Sequence, residues 1–135
     1  MRYSLDFNWL WDGMGALAYG AGTTLALTAS TSVLGIVLSV LGAAARRGPY
    51  PWLRKAVGLY VEVMRNTPFL VQLFFIFFGL PSLGIRLDPI SAAVLAMTLN
   101  MAAYTIEVVG AGLDAIPRGQ KEAAQALGLR PRLVF

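Results

Sequence analysis

Three long stretches of the chain carry no charge: Gly13 to Ala45, Asn66 to Ile85 and Pro89 to Ile106. A helix needs about 20 apolar residues, at 1.5 Å rise each, to cross the hydrocarbon core of a bilayer. The pattern predicts three transmembrane helices near 16–44, 57–80 and 90–113, the second and third each enclosing charge. A shorter helix should follow. Pro117 and Gly119 interrupt the third span, Gln120 to Leu127 holds strong helix formers, and Gly128 is a natural stop. The fold class is therefore all-α, a polytopic membrane helical bundle of three spans plus one short helix outside the membrane.

Composition strengthens this reading. The 135 residues are 57% hydrophobic and only 13% charged, with a mean hydropathy of +0.64, whereas soluble domains carry about 25% charged residues. Cysteine and histidine are both absent, which removes disulfides, thiol nucleophiles, imidazole bases and the usual zinc ligands. An amino-terminal secretory signal fits poorly, because Asp6 and Asp12 precede an apolar run longer than such signals use.

The net charge of +4 would suit a nucleic-acid binder only if the cations shared one solvated face. They flank the spans instead. Arg46, Arg47, Arg54 and Lys55 lie between the first and second, and Arg118, Lys121, Arg130 and Arg132 follow the third. Arg2 and Arg86 fall on the other side. This asymmetry places the amino terminus outside and the carboxyl end in the cytoplasm, and no nucleic-acid partner is expected.

Within the first span, Ala18, Gly22, Ala26 and Ser30 form one small-residue ladder and Ala16, Gly20, Thr24, Thr28 and Ser32 another. Either helix packing within the subunit or a contact with another subunit would use such a face. In the second span Glu62 and Arg65 are expected to pair or to turn to a polar interior, and Pro68 should bend the helix. Gln72, amid phenylalanines that face lipid or neighbours, reads as a helix-to-helix hydrogen bond. In the third span Met97, Asn100, Tyr104 and Glu107 share a stripe. That stripe should face a protein-lined interior, with Glu107 either in a buried ion pair or in contact with a cationic or zwitterionic solute. The short helix suits a cytoplasmic partner or the lipid surface.

The Glu122-Ala123-Ala124 triplet followed by Gly128 resembles the cytoplasmic signature of binding-protein-dependent ABC transporter permeases. Arg65 to Leu73, Leu99 to Glu107 and Ile116 to Leu129 are similar to the patterns of the polar amino acid permeases within that family. The resemblance implies a multi-pass bacterial inner-membrane subunit that pairs with a second permease, identical or homologous. An extracytoplasmic solute-binding protein would feed it and a cytoplasmic ABC ATPase would drive it. It implies no enzyme activity and no cofactor in this subunit, ATP being used by the ATPase. It also implies that segment 117–130 is a coupling helix, with Gln120, Glu122, Ala123, Ala124, Leu127 and Gly128 as coupling residues. Asn100, Tyr104 and Glu107 then become residues of the solute path.

The family pattern has glycine at the position of Asn66 and arginine at that of Gly110, so Glu107 is expected to lack its neighbouring cation. Residues 1–135 are expected to be the N-terminal part of a permease domain, truncated before its remaining helices. Two other classes remain open. A small structural or channel-forming membrane protein would leave the 120–127 helix without a role. A membrane enzyme would have to use Glu62, Glu107 or Asp114, which are scattered and have no nucleophile nearby.

Overall fold

The computed structural model describes Trp11 and residues 13–128. All its regular elements are helical: α1 (Met14–Arg47), α2 (Pro51–Asn66), α3 (Phe69–Phe74), a π turn (Phe75–Gly79), a 3-10 turn (Leu80–Leu83), α4 (Pro89–Asp114) and α5 (Arg118–Ala126). The expectations for Arg2, Asp6, Asp12, Arg130 and Arg132 lie outside the described residues.

Among the described residues two helices, α1 and α4, are long and apolar enough to cross a membrane, and a third span exists if α2 and the segment Phe69–Leu83 count as one. At 34 residues, α1 is about 50 Å long and exceeds the hydrocarbon thickness, so it tilts or projects into the interface. Most of its serine and threonine hydroxyls are satisfied inside the helix. Thr23, Thr24 and Thr28 donate to the carbonyls of Tyr19, Gly20 and Thr24 at 2.8–2.9 Å, which lets them face lipid with their donors paired.

Packing of α1 against α4 uses a different stripe from the two ladders. Thr31, Gly35, Ser39 and Ala43 are buried, every fourth residue, while Ala18, Gly22, Ala26, Ala16, Gly20, Thr24 and Thr28 stay exposed. Opposite them α4 buries Ala102, Ala103 and Ile106. A Cβ added at Gly35 would meet the Met101 sulfur at 2.9 Å, and one at Gly42 would meet the Ile106 side chain. Small residues bring the backbones together here, as association in lipid requires. The amino-terminal half of α4 forms a second core, where Ala92 and Ala96 pack with Ile76 beneath Leu73, Phe77 and Leu99.

The span expected over 57–80 is not one helix. α2 and the segment Phe69–Leu83 meet at 110°. Proline at 68 has no N–H and disfavours helical backbone at the residue before it. Thr67 is accordingly extended at φ −111°, ψ 129°. The chain then returns through Gly84, at φ +84°, to Asp88. The Asp88 carboxylate caps α4 by accepting from the backbone N–H groups of Ile90 and Ser91 at 3.0 and 3.1 Å and from the Ser91 hydroxyl at 2.6 Å.

Candidate functional site

Charged residues from three helices meet beside α4. Arg46, in the last turn of α1, places Nη1 2.6 Å from Glu107 Oε2. From α2, Arg65 sets its Nη1 3.8 Å from Glu107 Oε1 and its guanidinium 5.8 Å from the centre of the Tyr104 ring, a cation–π distance. Arg46, Glu62, Arg65, Asn66, Tyr104 and Glu107 line an open cleft of about 510 Å³. Tyr104 is 47% exposed.

This arrangement corrects one expectation and selects between the two alternatives of another. Glu107 does have a cation: Arg46 and Arg65 flank it, although residue 110 is glycine. Arg47 occupies the space above that glycine, donating from Nη2 to the Gly110 carbonyl at 2.7 Å and to Asp114 Oδ1 at 2.8 Å. Of the two alternatives for Glu62 and Arg65, the turn to a polar interior is the one observed: both line the cleft, with Arg65 directed to Glu107 and Tyr104 while Glu62 makes no ion pair among the described residues. Three residues apart on one helix, Arg65 and Glu62 could have paired, but the α4 carboxylate lies across the cleft and draws the guanidinium.

Asn100 belongs to a separate hub one turn away from Tyr104. It donates from Nδ2 to Gln72 Oε1 at 3.1 Å, and Gln72 donates from Nε2 to the carbonyls of Met64 at 2.7 Å and Thr67 at 2.9 Å. A helix ending in an apolar layer leaves carbonyls without partners, and the buried Gln72 amide satisfies two of them at the break. Nearby, the Tyr60 hydroxyl donates to the Leu99 carbonyl. The stripe 100–104–107 therefore divides into a neutral clamp at Asn100 and a charged cleft at Tyr104 and Glu107.

The segment 117–130 places its helix at Arg118–Ala126, with Pro117 at its start. Gly119 lies inside this helix and is not the break, which falls at Ala115 to Pro117, where the proline ends α4's continuation. Gln120, Glu122 and Ala123 are exposed, Ala124 is half-buried, and Leu127 is 79% exposed. Gly128 takes φ +71° and donates its N–H to the Gln125 carbonyl at 2.9 Å. A side chain at that φ is strained. The helix thus offers small residues, one large apolar side chain and a fixed carboxyl end.

Sequence reasoning passed over Arg46 and Arg65 as members of the Glu107 cluster. A signal existed: Arg46 ends the first span as Glu107 nears the end of the third, so two spans running in the same direction bring them to one depth.

Comparison with known proteins identifies the family of the chain. Residues 35–135 match the family described as binding-protein-dependent transport system inner membrane component. The chain is 36% identical over 130 residues to the arginine transport system permease protein ArtQ of Bacillus subtilis, covering 93% of this chain and 58% of that protein. It is 35% identical over 130 residues to the glutamine transport system permease protein GlnP of Escherichia coli, covering 93% and 59%. A solved amino acid ABC transporter, crystallised with histidines, superposes with a TM-score of 0.88 at 30% identity, over 98% of this chain and 62% of that one. The chain spans about half the length of the curated relatives it matches, between 48% and 59%.

Proposed function

Because the chain belongs to the family of binding-protein-dependent transport system inner membrane components, we propose that it lines the path by which a polar amino acid crosses the bacterial inner membrane. The observation that carries this reading is the two-signed cleft. An amino acid presents an ammonium and a carboxylate together, and the cleft is lined by Glu62 and Glu107 as well as Arg46 and Arg65, with Tyr104 and Asn66 in the same lining. Ionisable groups among spans are costly and are kept where they serve a solute or an ion pair. Here Glu107 does both: Arg46 holds its Oε2, while the longer 3.8 Å contact leaves Oε1 open to a substrate ammonium. Asn100 enters through Gln72, fixing the wall of the path rather than meeting the solute.

In this reading the amino terminus is outside and α5 is cytoplasmic. Gln120, Glu122, Ala123, Ala124, Leu127 and Gly128 seat in an ABC ATPase, which performs the nucleotide chemistry. A solute-binding protein delivers the substrate to a pair of permease subunits. The exposure of α5, its small residues and its fixed end support that role.

Glu107→Gln tests the path by removing charge while keeping shape. Uptake would be measured in proteoliposomes containing the permease, its ATPase and loaded solute-binding protein. The expected result is a fall of tenfold or more in uptake of the best substrate with insertion unchanged. Normal uptake with unaltered substrate preference would remove Glu107 from the solute path.

A further inference from the structure

At the end of the bundle where α1 stops, α2 starts and α4 stops, a second cleft of about 770 Å³ opens. Arg46, Arg47, Arg54 and Lys55 line it against two carboxylates, Glu107 and Asp114. Both carboxylates are already engaged, Glu107 by Arg46 at 2.6 Å and Asp114 by Arg47 at 2.8 Å. Arg54 and Lys55 are exposed and make no ion pair among the described residues. The cleft therefore keeps two cations in excess.

The surroundings favour an anion with an apolar body. Pro51 lines the same cleft as the first residue of α2, and no side chain caps that end. The N–H groups of Trp52 and Leu53 consequently lack intrahelical acceptors, and the positive end of the helix dipole lies at the cleft. Beside it Trp52 is 68% exposed and Tyr50 59% exposed. Such amphipathic rings settle at the headgroup level of a bilayer. A soluble anion would use the cations and leave both rings in water, whereas a lipid uses both.

We propose that this cleft binds the phosphate of an anionic phospholipid, with Arg54 and Lys55 as its charge partners and Trp52 against the adjoining glycerol and acyl carbons. The proposal requires only that the helices span a bilayer and is independent of the transported solute. A basic residue at a membrane surface contributes about fivefold to the binding of an anionic lipid, so the pair contributes about thirtyfold.

Native mass spectrometry of the purified chain, released from micelles doped with phosphatidylglycerol or phosphatidylcholine, reads this directly. The chain should retain phosphatidylglycerol in preference to phosphatidylcholine. Arg54→Gln with Lys55→Gln should lower that preference by about thirtyfold, and the charge-keeping exchange Arg54→Lys with Lys55→Arg should preserve it. Ten millimolar glycerol 3-phosphate, about the concentration of an abundant metabolite, should not displace the lipid. Equal retention of the two lipids, an unchanged preference in the glutamine variant, or displacement by glycerol 3-phosphate would each overturn the proposal, the last in favour of a soluble phosphate. Loss of the preference in the charge-keeping variant would overturn it as well, showing that side-chain packing governs retention.

Discussion

Gln72 Oε1 accepts a hydrogen bond from Asn100 Nδ2 at 3.1 Å, so the side chain that closes the broken end of α2 is also tied to α4. Through its own Nε2, Gln72 reaches the carbonyls of Met64 and Thr67 on the far side of the break. One amide thereby fixes a 110° bend and its position on the neighbouring helix. The charged cleft depends on that geometry, because Arg65 lies on the last turn of α2 before the break.

Replacing Gln72 with Leu keeps the volume and removes three hydrogen bonds. Two carbonyls and the Asn100 amide then lose a partner in a buried site, at a cost of about 1–3 kcal/mol. A double-mutant cycle with Asn100→Leu isolates the direct pair, whose coupling should be about 0.6–1.7 kcal/mol, the range for hydrogen bonds between membrane helices. Reversible unfolding in mixed micelles gives both values, and a coupling near zero would mean that the two amides act independently.

Much of this architecture was legible in the uncharged runs, since the period of polar interruption marks where helices leave the bilayer. Pro68 was equally readable as a disturbance, yet its magnitude was not. A proline inside a continuous helix and a proline between two helices have the same residue pattern. The outcome depends on whether a distant side chain, here Gln72, can satisfy the freed carbonyls. The same limit applies to Glu107. Its position in a span announced a partner, but Arg46 is brought to it by the α1–α4 packing, which runs through Thr31, Gly35, Ser39 and Ala43. That stripe resembles the exposed ladders beside it in residue type, so composition could not choose among them.

The Asp88 cap makes the start of α4 sensitive to acid. Hydrogen bonds from the Ser91 hydroxyl and backbone, with that of Ile90, hold the Asp88 carboxyl below the ordinary carboxylate range. A depressed folded-state value means that the stabilisation is complete above the unfolded value of about 3.9 and is lost as pH falls through the lower, folded one. Hydrogen exchange at Ile90 and Ser91 should therefore retain its protection, relative to Asp88→Ala, from pH 8 down to about pH 4. The advantage should vanish only in stronger acid. Asp88→Asn keeps the acceptor without the charge and should remove the pH dependence while preserving most of the protection. A loss of protection already near neutrality would exclude Asp88 as the controlling group.

The carboxyl end of α5 provides the sharpest test of coupling. Gly128 sits at φ +71°, and nothing lies within 4 Å of a Cβ built there. A Gly128→Val change is thus opposed by the backbone conformation rather than by crowding, and it should loosen the end of the helix. Ala124→Leu acts differently, adding bulk to a face that is proposed to seat in the ATPase. If α5 is the coupling helix, both substitutions should weaken ATPase association while insertion of the spans is unaffected. For Ala124→Leu the expected loss is about 1–3 kcal/mol, or roughly five- to hundredfold in affinity, as overpacking a matched surface costs. Binding of the purified ATPase to the permease in nanodiscs measures this directly. Adding an anionic lipid to otherwise neutral nanodiscs separates the alternative, in which α5 lies on the membrane. In that case the two variants would change the response to lipid composition and leave ATPase affinity intact.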